Sequence, residues 1–326
     1  MFKDFANVWT IVAEARALTA GKPLGMRIAG ERVVFFRDAS GKAAALIDRC
    51  PHRGVALSLG RVKDGEIECP FHGWRFDGAG RNCHVPWNPD ARRETLGAHA
   101  LPVREVAGLL WLYTGFAPPA EPDVTQTLFE PGVAVCAQSV LWTAHWTRVM
   151  ENMLDMPHLP FVHRKTIGKD MQKVAGGRME LAWEDRTYGG RISSKVDGVP
   201  RPGALEYRFP NVMELFIDPP GKRLRLMVAC IPEDENATRL LLLTVRNFAR
   251  SPLLNPVFRL LNRRIANEDR AIVESSLPSH VPPPGEEVSV RTDAPTLVFR
   301  RLYRMKLLGG AAEPPAASRV ADAPTA

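Results

Sequence analysis

The chain has 326 residues, 45% of them hydrophobic and 24% charged, with a formal net charge of +7. This is the composition of an ordinary globular protein of one or two domains with a sizeable core. No apolar run approaches the roughly 18–20 residues of a membrane span, and Lys and Arg are scattered rather than gathered into a stripe with aromatics, so neither a membrane span nor nucleic-acid binding is expected. The basic excess reads as a solvated surface, compatible with a redox partner that has an acidic face. The opening Met1-Phe2-Lys3-Asp4-Phe5 has an early acid and no apolar core, so no signal peptide is expected. The five cysteines, Cys50, Cys69, Cys83, Cys136 and Cys230, are an odd number. That argues against a disulfide framework and for a reducing cytoplasm.

Short strands are expected from the start. Val8 to Val12 is one, residues 25–30 and 33–37 flank a Gly-Glu turn, and Ala43 to Ile47 is another. Two loops follow, Cys50-Pro51-His52-Arg53-Gly54 and Cys69-Pro70-Phe71-His72-Gly73-Trp74. Each offers one thiolate and one imidazole within a turn. Facing one another, Cys50, His52, Cys69 and His72 supply two sulfurs and two nitrogens. Structural zinc uses such a set, and so does a [2Fe–2S] cluster with two cysteines on one iron and two histidines on the other. The C-x-H and C-x2-H doublet, with Pro and Gly shaping both loops, favours the cluster and resembles the signature of a Rieske domain. Neutral histidines in place of two thiolates raise the potential of such a cluster above that of a four-cysteine one. Cys83 and His84 have no second pair and read as packing residues. Residues 100–113 look like a closing hairpin, and Ala117 to Pro122 is a linker by composition.

Beyond the linker, Val133 to Trp142 reads as a strand and a helix begins near Trp146. It runs toward Asn152, Asp155, His158 and His163. On a continuous helix Glu151, Asp155 and His158 share one face. Pro157 and Pro160 interrupt a regular helix, so His163 can swing back toward His158. Two imidazoles placed so are half of a metal site, although histidines in an apolar run are more often satisfied core residues. Residues 178–248 alternate strands and turns, which is economical as an antiparallel sheet with one covered face. The last expected helix runs from Pro256 to about Ser276, with Leu254, Phe258, Leu261, Ile265 and Ile272 as its apolar stripe. Glu268 and Asp269 flank that stripe, and periodicity does not choose between them as a ligand; both read equally as solvated rim charges.

Over residues 8–308 the chain resembles the Rieske non-haem iron oxygenases. Their catalytic domain carries N-x2-D-x2-H-x4-H, which is complete here as Asn152, Asp155, His158 and His163. The stretch Glu268-Asp269-Arg270-Ala271-Ile272-Val273-Glu274 matches the family's context for a third, carboxylate ligand and selects Asp269. The resemblance implies an α+β chain with four segments. Residues 1–117 form an all-β Rieske [2Fe–2S] domain and 118–132 a linker. Residues 133–308 form an antiparallel-sheet catalytic domain of helix-grip type with flanking helices, and 309–326 a disordered tail. It implies one [2Fe–2S] cluster on Cys50, His52, Cys69 and His72 and one Fe(II) on His158, His163 and Asp269 in each subunit. Asp155 and Asn152 would then serve catalysis, Asp155 by bridging a cluster histidine of the next subunit to an iron-ligand histidine. That makes a head-to-tail ring, a homotrimer.

The chain is short, like the α-only monooxygenases, the vanillate- and dicamba-type O-demethylases and hydroxylases of secondary metabolism. The expected activity is therefore that of a cytoplasmic oxygenase component, hydroxylating or oxidatively demethylating a small hydrophobic, aromatic or alicyclic substrate with O2. Two alternatives are a cis-dihydroxylating dioxygenase α subunit and a non-enzymatic Rieske electron carrier fused to a hydrophobic-ligand-binding domain. No G-x-G-x-x-G fingerprint opens a helix after a strand, so NAD(P)H is expected to act only through a separate flavin reductase, with or without a ferredoxin.

Overall fold

The computed structural model describes residues 1–309. The expected tail lies outside the described residues, apart from Gly309. Two compact units are present, residues 1–125 with Ile231–Asp234, and residues 126–230 with those from Glu235 on. Among the described residues no helix is long and apolar enough to cross a membrane.

In the first unit, β1 (Trp9–Glu14), β2 (Leu24–Ile28), β3 (Glu31–Arg37) and β4 (Ala43–Ile47) precede the first cysteine loop. The short strands β5 (Arg61–Lys63), β6 (Glu66–Glu68), β7 (Arg75–Phe76) and β8 (Asn82–His84) surround the second. Then β9 (Ala100–Leu101), β10 (Val103–Val106) and β11 (Leu109–Tyr113) close the unit. The sheets run β1-β11-β10, β2-β3-β4-β9 and β5-β6-β7-β8, and all are antiparallel. The β10–β11 hairpin turns on Ala107 and Gly108, both at positive φ (53° and 74°), as a tight two-residue turn requires. Val34, Phe36, Leu46, Leu57, Ile67 and Phe76 form a core cluster that includes Cys50 and Cys69. The cysteines thus sit at the edge of packed hydrophobic structure rather than on mobile loops. The proline-rich segment after β11 is held too. Trp9 Nε1 donates to Ala120 O at 2.7 Å, and Arg104 clasps Glu121.

The second unit is one antiparallel sheet. Its strands are β12 (Ala134–Trp142), β13 (Met179–Arg186), β14 (Gly189–Val196), β15 (Val199–Pro200), β16 (Ala204–Arg208), β17 (Val212–Phe216), β18 (Leu224–Asp234) and β19 (Ala237–Arg246). Their order is β12-β19-β18-β17-β16-β14-β13, with β15 beside β14. Helices α1 (Trp146–Leu154), α3 (Asn255–Glu274) and α4 (Ala294–Lys306) pack with it, and α2 (Leu159–Val162) is a single turn.

Three readings are corrected by these elements. First, α1 stops at Leu154, because Met156 precedes a proline and is driven out of the helical region. Glu151, Asp155 and His158 therefore do not share a helical face. Glu151 turns to two arginines, and Asp155 meets His158 across the break. Second, the buried face of α3 is Asn262, Ala266, Asp269 and Val273, whereas Leu254, Leu261 and Ile272 are exposed. This helix turns a mixed polar face inward, so an apolar count assigns its phase wrongly. Third, α3 is not the last helix. In α4 a proline opens the first turn, basic residues close the last, and Phe299 and Tyr303, one turn apart, pack edge-on against Trp146 of α1.

A ring of alternating charges ties α1 to α4. Arg148 Nη1 donates to Glu151 Oε2 at 2.9 Å and Nη2 to Glu287 Oε1 at 2.6 Å, while Arg300 donates to the other oxygens of the same two acids. Arg148, Glu151 and Arg300 side chains are only 8%, 11% and 12% exposed. Removing Glu151 leaves two nearly buried guanidiniums sharing one acid. Glu151→Ala is expected to cost on the order of 2–3 kcal/mol, with Glu151→Gln milder, read as loss of denaturant midpoint by far-ultraviolet circular dichroism.

Candidate metal centres

The two cysteine loops close alike. Cys50 N donates to Val55 O and Cys69 N to Trp74 O, each at 2.8 Å. Gly54 N donates back to Cys50 O at 2.9 Å, and Gly73 N to Cys69 O at 3.0 Å. Both glycines stand at positive φ, 72° and 71°, where a β-carbon is strained. The loops thereby bring the thiols of Cys50 and Cys69 against each other in the core. The His52 and His72 rings lie beside each other, centroids 4.6 Å apart. His52 also stacks flat on Trp74, at 4.6 Å and 1°. Burial pushes the Cys50 thiol up to about 11; the His52 backbone amide opposes this and the Cys69 thiol adds to it. Partial desolvation, then His72 and Arg53, hold His52 below the ordinary histidine value. Its Nδ1 is buried without a hydrogen-bond partner. Two adjacent thiols and two adjacent rings, one with an orphaned nitrogen, fit a cluster held by two sulfurs and two nitrogens.

The second centre forms where α1 breaks. His158 leads into α2 and His163 ends it, so one helical turn separates them and their rings meet nearly edge to face, centroids 5.2 Å apart. Pro160 sits within the first turn of α2, where a missing N–H costs nothing, so it does not break the turn. Asp269, on the inward face of α3, completes the group. Its Oδ1 lies 3.1 Å from His163 Nε2 and 3.6 Å from His158 Nε2. One ligand atom from each residue falls within 4.8 Å of the others. His158 Nε2 and Asp269 Oδ1 are buried without hydrogen-bond partners. The outer nitrogens face carboxylates as well. Asp155 Oδ2 is 3.4 Å from His158 Nδ1, and Glu268 Oε2 is 2.8 Å from His163 Nδ1. Asn152 lines the same cavity.

Glu268 is therefore not a rim charge. Its Oε2 also accepts from Thr166 Oγ1 at 2.6 Å. Burial alone would raise its pKa, but the Thr166 hydroxyl and the His163 ring outweigh that and hold it below the usual carboxylate value. An ionised Glu268 accepts only, so His163 must present its proton on Nδ1. Nε2 then carries a bare lone pair against the Asp269 oxygen. Two acceptors 3.1 Å apart repel unless a cation sits between them. In the free protein a proton can do this. Burial lowers the His163 pKa, but Asp269 and Glu268 together raise it above the ordinary histidine value. A divalent ion fits the same place and reaches the orphaned His158 Nε2 too. Two neutral imidazoles and one carboxylate on one face are the donor set of mononuclear non-haem iron(II).

The comparisons with known proteins cover both of these regions of the chain. Residues 8–102 match the Rieske [2Fe-2S] domain family. Residues 142–307, just over half of the chain, match the vanillate O-demethylase oxygenase C-terminal domain family. The chain belongs to the Rieske oxygenases. This Rieske oxygenase is 31% identical over 167 residues to the dicamba O-demethylase oxygenase component of Stenotrophomonas maltophilia, covering 50% of this chain and 49% of that protein. It is 27% identical over 291 residues to chlorophyllide a oxygenase of Chlamydomonas reinhardtii, covering 82% of this chain and 43% of that one. It thus spans about half or less of the curated relatives it matches. Its fold is similar to that of NdmA from Pseudomonas putida CBB5 with caffeine, with a TM-score of 0.78 at 22% identity over 91% of this chain and 90% of that one.

The role of Glu268 was open to sequence reasoning only as the neighbour of Asp269; adjacency on a helix gave no hint that both acids reach the same ring. Glu268→Ala is expected to weaken metal retention by His163 about 10- to 100-fold, with Glu268→Gln intermediate, measured by competition with a chelator.

Proposed function

We propose that this chain is the oxygenase component of a Rieske-type monooxygenase. It hydroxylates or oxidatively demethylates a small hydrophobic molecule, using O2 and electrons from a separate flavin reductase, with or without a ferredoxin. The observation that carries this reading is the convergence of His158, His163 and Asp269 on one point in an apolar cavity, on a chain that also bears the paired cysteine–histidine loops. Relatives named as dicamba and vanillate O-demethylases and as a toluene-4-sulfonate monooxygenase subunit support this reading, and one named as a 3-chlorobenzoate-3,4-dioxygenase subunit keeps a dihydroxylating enzyme as the alternative. In this reading residues 1–117 hold the cluster through Cys50, His52, Cys69 and His72. Residues 118–132 connect to the catalytic domain, residues 133–308.

When bound, the cluster supplies electrons and ferrous iron the chemistry of O2. The chain's own residues do the rest. His158, His163 and Asp269 would hold the iron, and the cavity beside them would receive the substrate. Glu268 fixes the His163 tautomer through Nδ1. Asp155 stands beside His158 Nδ1, and its side chain is 34% exposed, enough to be reached from a neighbouring subunit. We read it as the bridge to a cluster histidine of that subunit, with the oxygenase a head-to-tail homotrimer. The aliphatic walls exclude water from the reacting atoms.

The test begins with metal content. The purified protein should be red-brown, hold about three irons per chain, and show the electron paramagnetic resonance of a reduced Rieske centre. Colourless protein with zinc alone would falsify the reading. Asp269→Ala should keep the cluster and lose the third iron, since a methyl cannot replace an anionic ligand.

A separate expectation concerns electron flow. Asp155→Asn should keep cluster and iron but reoxidise its cluster by O2, with substrate present, at least tenfold more slowly in a single turnover, about 1.4 kcal/mol of barrier. Normal single-turnover rates in this variant would remove both the bridging role and the ring it implies. The unmodified chain alone should not oxidise NADH.

A further inference from the structure

The cavity beside the triad is walled by side chains of four strands and α3, among them Leu205, Met213, Leu226, Leu242 and Ile265. Its cavity volume is about 80 Å³, which restricts any occupant to a small molecule. Among the described residues lining it, none is Lys or Arg, none is Phe, Tyr or Trp, and the histidines are His158 and His163 alone. Its charged side chains besides these are Asp155 and Asp269, and its remaining hydrogen-bonding side chains are Asn152 and Asn262.

Asn262 has a particular setting. It lies on the inward face of α3, 7% exposed. Its Nδ2 donates to Thr244 Oγ1 at 2.9 Å, and its Oδ1 lies 3.1 Å from the same hydroxyl. An amide has two N–H groups and two acceptor lone pairs. One hydroxyl fixes the orientation of this one and leaves capacity for a cavity ligand. A polar residue kept in an aliphatic wall, and held by a dedicated partner, discriminates strongly between ligands that satisfy it and ligands that do not.

Resting on the reading of this cavity as the substrate site, we propose that the substrate is an uncharged molecule, held by shape and aliphatic contact, with a carbonyl or hydroxyl group hydrogen-bonded to Asn262. A bound carboxylate would lose its water without gaining any Lys or Arg side chain from the cavity wall. A bound cation would lose its water in the same aliphatic pocket, whose two carboxylates already face His158 and His163. A neutral molecule meets neither cost, and one polar atom on it is enough to satisfy Asn262.

The test is equilibrium binding, which needs no turnover. Isothermal titration calorimetry on the purified full chain compares 1-adamantyl methyl ketone with adamantane-1-carboxylate, a pair of near-equal shape differing in charge. A smaller cyclohexyl methyl ketone and cyclohexanecarboxylate pair repeats the comparison in case the cage is too bulky. The ketone should bind at least tenfold tighter than its acid. Asn262→Leu should weaken the ketone about tenfold, narrowing the gap. Leu205→Trp, which fills the cavity and leaves the Thr244–Asn262 pair in place, should abolish ketone binding. A carboxylate that binds as tightly as its ketone, ketone binding unaffected by Leu205→Trp, or no saturable binding of either ketone each overturns the proposal. A chain that prefers the ketone yet lacks the third iron would sink the oxygenase reading and leave the uncharged-ligand inference standing.

Discussion

Asp269 places a carboxylate oxygen 3.1 Å from His163 Nε2, at a position only 4% exposed. Burying such a pair is costly unless a positive charge is shared between them. Much of the second unit can be understood as the means of holding it. The carboxylate is delivered by a 20-residue helix whose inward face also carries Asn262, Ala266 and Val273. The imidazoles are delivered by a single helical turn beyond the end of α1. Glu268 and Thr166 then hold the His163 ring, so it cannot rotate away.

The break after Leu154 is equally necessary. Had α1 continued, His158 would have stayed on the face of Glu151, whose carboxylate is already occupied by Arg148 and Arg300. Ending the helix frees the chain to turn while the charged ring anchors α1 itself. The anchor and the functional stretch are thus adjacent in sequence but separate in role. The last turn of α1 is buried on most sides and tied to α4. The residues just beyond line a cavity and keep partial contact with solvent.

Much of this was legible in the chain, for a reason that differs from place to place. The cysteine loops were readable because their whole local structure is written within six residues, proline and positive-φ glycine included. The strands of both units are bounded by turn residues, as the Ala107-Gly108 hairpin illustrates, although several are buried on both faces, as β11 is throughout. Reading failed where a residue's role is set by what lies opposite it. The inward face of α3 could not be chosen by hydrophobicity, because three of its cavity-facing positions are Asn262, Ala266 and Asp269. Glu268 looked like a solvated charge because His163, its partner, is 105 residues away. α4 did carry local signals, a proline start and a Phe299–Tyr303 spacing, but they were weaker than the preceding proline-rich stretch.

The two imidazoles of the triad are not equivalent, and the difference follows from their acids. His163 is 2% exposed, and its Nδ1 meets Glu268 at 2.8 Å, a well-formed charge-assisted hydrogen bond. His158 is 15% exposed, and its Nδ1 stands 3.4 Å from Asp155 without forming a hydrogen bond. Glu268 has further partners in Thr166 and, at 3.6 Å, Arg264, so its position is over-determined. Asp155 is a helix-end residue in extended conformation with a third of its side chain in solvent. One ligand is therefore locked from inside the unit, and the other is held loosely at its rim. In the proposed metal site a rigid ligand would fix where the ion sits. A ligand whose outer nitrogen keeps an adjustable acid would be tightened by whatever approaches Asp155 from outside. The asymmetry would then separate holding the ion from connecting it to its surroundings.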